Sequence, residues 1–185
     1  MRRLLRRESL RLADAPLEQT LETLVAFLRA EQFAVITYNA VLLRVREPDA
    51  HDELARLKLS HAARALVLCE RITEFGGESL EPLPDGLEPN GAFASVMAKV
   101  GAARDEWHAM AALREGECWA VRDYEIDLRD LDPHLRNELR RILLGEQRRT
   151  RGRLLRLVGR RAQRLFGLGP AAPKPTGSHA SGPGG

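Results

Sequence analysis

Apolar residues recur along this chain at alternating steps of four and three. That is the spacing of a helix face turned toward other helices. The first stripe is Leu17, Leu21, Leu24, Leu28, Glu31, Val35, Tyr38, Leu42 and Val45. The second is Leu54, Leu57, His61, Ala65, Leu68, Ile72 and Phe75. The third is Trp107, Met110, Glu117, Val121, Tyr124, Leu128 and Leu131, and the fourth Leu139, Leu143, Glu146, Thr150, Leu154 and Leu157. No segment alternates apolar and polar residues as a strand would.

Breakers set the bounds. Pro16 suits a first helical turn, and Glu47-Pro48 closes a segment of about 16–46. The second helix runs over about 52–75, stopped by Gly76-Gly77. Residues 76–91 are rich in proline and glycine and read as loop. The third helix covers about 92–129, broken at Gly101 into a short lead and a long main part, and 130–133 is a turn. The fourth runs over about 134–166, weakened at Gly152 and Gly159. Two short connections and one long crossover, between the second and third helices, predict an all-α, antiparallel four-helix bundle of the ferritin-like kind. The domain is 16–166, preceded by a basic arm at 1–15 and followed by a Gly/Pro-rich tail at 167–185 expected to be disordered.

Charge divides the chain into zones. Residues 1–12 carry +4, residues 147–185 carry +9, and 13–146 carry −10. An acidic body with basic ends is not a generic nucleic-acid binder. The arginines Arg148, Arg151, Arg153, Arg156, Arg160, Arg161 and Arg164 nevertheless form a run backed by leucine and valine. That run suits an anionic membrane surface or nucleic acid, or else a solvated helix end packed on the acidic body. No apolar stretch is long enough to cross a membrane. Cys69 and Cys118 are far apart and lack zinc-like spacing, which implies a reduced, cytoplasmic setting. No phosphate-binding loop, catalytic triad or paired-cysteine motif occurs.

The chemistry lies in the stripes themselves. Each puts one ionisable residue at mid-bundle: Glu31, His61, Glu117 and Glu146. A buried carboxylate must be paired or bound to metal, and this donor set suits iron or manganese. The halves also look duplicated. Glu31 through Tyr38 matches Glu117 through Tyr124, and with a shift of one residue His61 aligns with Glu146 and Arg64 with Arg149. Tyr38 and Tyr124 are expected to bond the carboxylates through their hydroxyls.

These residues resemble the bacterial ferritin-like superfamily, in particular its rubrerythrin-related domains of unknown function. The resemblance is carried by Ala30-Glu31 with Tyr38, by 72–78 (ITEFGGE) and by 114–124 (REGECWAVRDY), and spans about 18–160. It implies a di-iron site with a Glu on helices 1 and 3 and a Glu-x-x-His on helices 2 and 4. Glu31 and Glu117 match. Helix 4 keeps Glu146 with Arg149 at the His position, helix 2 has Ser60 or His61 at the Glu position and Ala63 or Arg64 at the His position, and neither Glu-x-x-His is intact. Arg64 and Arg149 could then neutralise Glu31 and Glu117 as a metal would. The expectation is a degenerate di-metal site in a non-catalytic interaction or stress-related domain, acting as a homo-oligomer or with a protein partner. The alternatives are a di-iron or di-manganese oxidoreductase or iron-handling protein, and a peripheral membrane or nucleic-acid module.

Overall fold

The computed structural model describes residues 2–78, 81 and 91–165, with side chains over 17–78, 81 and 95–164. The expected tail and most of the long connection lie outside these residues. Among the described residues all regular structure is helical. The helices are α1 (Arg2–Leu42), α2 (Pro48–Glu74), α3 (Gly91–Gly101), α4 (Glu106–Asp127), α5 (Pro133–Leu139) and α6 (Gly145–Leu165). A 3-10 turn (Leu128–Asp130) follows α4, and a π-helical turn (Arg140–Leu144) joins α5 to α6. None of the described helices is long and apolar enough to cross a membrane.

The ends follow local chemistry. Pro48 occupies the first turn of α2, where its missing N–H costs nothing. At the other end Gly76 has φ +79°, and its N–H reaches the Thr73 carbonyl while that of Gly77 reaches the Ile72 carbonyl. This double return is the Schellman closure, and it needs a residue at ease with positive φ. A Cβ at position 77 would lie 2.6 Å from the Ile72 side chain, so both glycines are required. Asp105 and Asp132 cap α4 and α5 through their carboxylates. Gly101 does separate a short helix from a long one. Pro16, by contrast, falls inside α1, which begins at Arg2, so the basic arm is continuous with the first helix rather than separate from it.

Pairs of touching residues give the packing directions. Lys58 meets Asn39 and His61 meets Glu31, so α1 and α2 are antiparallel. Arg153 meets Glu53 and Arg64 meets Gln147, which sets α6 antiparallel to α2. Arg148 meets Glu125, and Leu155 shares a surface groove with Ala111, Ala112 and Cys118, which sets α6 antiparallel to α4. Tyr38 with Glu117, and the Arg46 N–H with Glu106, do the same for α1 and α4. Two large apolar clusters, with a small third one at Phe33, Ala34 and Ala120, fill the interior. One runs through Val41, Leu54, Met110 and Leu154, the other through Leu28, Leu68, Val121 and Leu139. Charged and polar side chains occupy the level between them.

The π-turn alters the fourth stripe. A π-turn holds one more residue than the α-turn it replaces, so every side chain beyond it is rotated relative to an unbroken helix. Leu139 and Leu143 are buried as the stripe requires, but Leu144 is buried as well, and the inward position after it is Gln147 rather than Glu146. Deleting exposed Arg141 should remove the extra residue and leave the faces on both sides in place. Deleting Arg151, in uninterrupted helix, should rotate one side by about 100°. Thermal melts by circular dichroism should therefore show a cooperative transition for the first deletion and its loss for the second.

Candidate functional site

The middle of the bundle holds a closed ionic network contributed by α1, α2, α4 and α6. Glu31, His61, Arg64, Glu117, Gln147 and Thr150 are all buried. His61 bridges the two carboxylates, with Nδ1 2.6 Å from Glu31 Oε2 and Nε2 2.8 Å from Glu117 Oε1. Arg64 donates from Nε to Glu31 Oε1 at 2.7 Å and from Nη2 to Gln147 Oε1 at 2.7 Å. Gln147 turns its other face to Glu117, donating from Nε2 to Oε2 at 2.8 Å. Arg64 Nη1 reaches the Ser60 hydroxyl at 2.9 Å.

The tyrosines cross the bundle. Tyr38, on the helix of Glu31, donates to Glu117 at 2.8 Å. Tyr124, on the helix of Glu117, donates to Glu31. The two halves of the chain thus exchange equivalent hydrogen bonds. Through the network the repeat keeps one constant spacing: Glu31 to Glu117, Tyr38 to Tyr124, His61 to Gln147 and Arg64 to Thr150. The one-residue shift expected from the sequence is absorbed by the π-turn. It places Gln147 and Thr150 where Glu146 and Arg149 were expected.

Electrostatics fix the protonation states. Burial alone would push the Glu31 carboxyl up, but the Arg64 charge and the His61 ring outweigh it and hold the group at about 2. For His61, burial and the nearby Arg64 push downward, while Glu117 and Glu31 push upward and prevail, so its value is raised. Both ring nitrogens face carboxylate oxygens, which can only accept, so the raised value favours the imidazolium, which donates to both. Arg64 Nη2, which carries two hydrogens, lies 2.7 Å from both Gln147 Oε1, to which it donates, and His61 Nδ1. Two carboxylates and two cations then balance. Tyr38 and Tyr124 are held neutral, their values raised first by burial and then by the carboxylate that each one faces.

Glu146 and Arg149 do not belong to this site. Their side chains are 42% and 73% exposed, and they pair with each other on the surface. The residues missed in the sequence are Gln147 and the π-turn that aims it. The available signal is the doublet Leu143-Leu144, because a stripe continued from Leu144 arrives at Gln147. The arginine run is also largely engaged. Arg148 pairs with Glu125, Arg153 with Glu53, Arg161 with Glu47 and Glu106, and Arg164 with Glu47. These ion pairs lash α6 to the acidic body. Arg156 and Arg160 stay exposed, and Arg151 is half-buried.

The donors do not fit a two-metal centre. Arg64 sets a permanent positive charge against Glu31, both His61 nitrogens are committed to carboxylates, and α6 offers an amide where a carboxylate ligand was expected. Among the described residues no three His, Cys, Asp or Glu side chains are grouped to hold an ion. A cavity of about 20 Å³ adjoins Glu31, His61, Tyr124 and Gln147, walled by Ala30, Ala34 and Ala120. It has room for about one water and none for an organic substrate. No protein-family model, curated protein or solved structure matches the chain.

Removing Arg64 leaves Glu31 buried beside one cation fewer. Arg64→Ala should cost about 3–5 kcal/mol, whereas Glu146→Ala should stay within about 0.5 kcal/mol, both by urea denaturation at neutral pH. The pH dependence follows from the shifts. The Glu31 value is lowered on folding, so its contribution is present above 4.5 and lost as pH falls toward about 2. The His61 value is raised, so its contribution is complete below 6.5 and fades as pH rises through the folded value. Unfolding free energy should be greatest between these limits, and His61→Gln should flatten the alkaline side.

Proposed function

We propose that the chain is a ferritin-like four-helix-bundle domain whose di-metal position is occupied by its own cations, and that it works by association rather than catalysis. The observation that carries this reading is the seat of Arg64. Its guanidinium holds Glu31 and Gln147 together while His61 joins Glu31 to Glu117. A guanidinium cannot lose its charge at any physiological pH, so an incoming cation would have to displace it against Coulomb repulsion. The up-down-down-up order of α1, α2, α4 and α6, with a long connection between the second and third of them, supports the ferritin-like arrangement.

An association role agrees with the interior. The network is satisfied internally, and the cavity beside it takes no more than a water. In such a domain the ionic layer sets helix register, because a sliding helix would strand a buried charge. The two-fold exchange of tyrosine and glutamate supports descent from a duplicated hairpin.

The test is metal content. Protein purified from cells supplemented with iron and manganese should contain far less than one equivalent of either, and added Fe(II) or Mn(II) should leave its melting temperature unchanged. Near-stoichiometric metal, or a metal-dependent rise in melting temperature, would overturn the reading. Replacing the central cation by Arg64→Gln should lower stability in metal-free buffer, measured by the same melts.

A further inference from the structure

A second ordered stripe lies on α2, facing away from the core. Arg56, Leu59, Ala63, Leu66 and Glu70 follow at steps of three and four, and all are exposed. Leu59 is 63% exposed and Leu66 53%. A solvated helix face is normally polar, yet the centre of this stripe is apolar, and its charges are confined to the two ends.

The stripe is complementary to itself. Arg56 lies two helical turns before Ala63 and Glu70 two turns after it. Leu59 and Leu66 flank Ala63 at about one turn on either side. A two-fold axis through Ala63 therefore sets each Arg56 opposite the Glu70 of the second copy, and each Leu59 opposite its Leu66. Ala63, the smallest side chain of the stripe, falls where two antiparallel helices come closest. Glu70 has no ion pair among the described residues, and the contact of Arg56 with Glu53 is long at 3.6 Å. Both charges are thus available to a partner.

We infer that α2 is an isologous docking surface for a second copy of this chain, with the helices antiparallel and crossing at Ala63. A closed two-fold contact of this kind uses the same patch on both subunits. This interface gives the association reading above, on which it rests, a surface and a partner. The residues involved are separate from the buried network.

Sedimentation velocity of the full chain at micromolar concentration should show a dimer. Leu59→Glu with Leu66→Glu should yield a monomer whose helical content and melting transition are those of a folded bundle. Arg56→Glu and Glu70→Arg should each weaken the dimer at least about tenfold, since each sets like charges opposite one another. The double variant Arg56→Glu/Glu70→Arg should restore it. A monomeric wild-type chain, or a dimer indifferent to the leucine changes, would overturn the interface. So would a double charge variant no tighter than the singles. A monomeric wild type would leave the metal result above untouched, and metal loading would leave the dimer standing, so the two readings fail separately.

Discussion

Two carboxylates in the middle of a helical bundle must be answered by positive charge. Glu31 and Glu117 are both inaccessible to solvent, and an unpaired buried carboxylate would cost several kcal/mol. The bundle meets this with His61 and Arg64, both carried by α2 and one turn apart. The remaining polar atoms follow from that pairing. Gln147 connects Arg64 to Glu117, Ser60 receives Arg64, and the tyrosines donate to Glu117 Oε1 and Glu31 Oε1, the oxygens that His61 and Arg64 also hold. The layer lies between the two large apolar clusters and ties all four long helices at one level.

Placing both cations on one helix has a consequence. α2 supplies the positive charge, α1 and α4 the negative, and α6 a neutral amide with a hydroxyl. The halves of the chain are therefore symmetric in their carboxylates and tyrosines and asymmetric in what lies opposite. A symmetric metal centre needs like ligands from both hairpins, whereas an internal salt bridge needs only one cationic helix. The departure from symmetry is the physical mark that separates this core from a two-metal centre.

The same division of charge operates on the outside. The arginines of α6 face acids of α2, α4 and the turn before α2, which accounts for a strongly basic helix lying on an acidic body. Individually, such partly exposed pairs contribute little, and their value lies in number and in register. The basic run thus fastens the bundle, with Arg156 and Arg160 left facing solvent.

The sequence by itself determined the helices, most of their ends and the inward faces of α1, α2 and α4. These depend on a 3.6-residue period, on proline and glycine, and on capping residues within a turn of each end. It also placed Glu31, His61 and Glu117 in one layer, because each stands on an unbroken stripe. Only the tertiary structure decided what that layer is. The direction of a helix face is the running sum of turns before it, so one π-turn at Arg140–Leu144 is enough to send Glu146 outward and Gln147 inward. The doublet Leu143-Leu144 is its one local sign, and it does not by itself say which leucine the stripe continues from. The same holds for Arg64: its spacing put it near the stripe, but whether its charge would reach solvent or Glu31 depended on three other helices closing over it. The buried charge balance is a property of the assembled bundle, and so is the choice between a metal and a guanidinium to hold it.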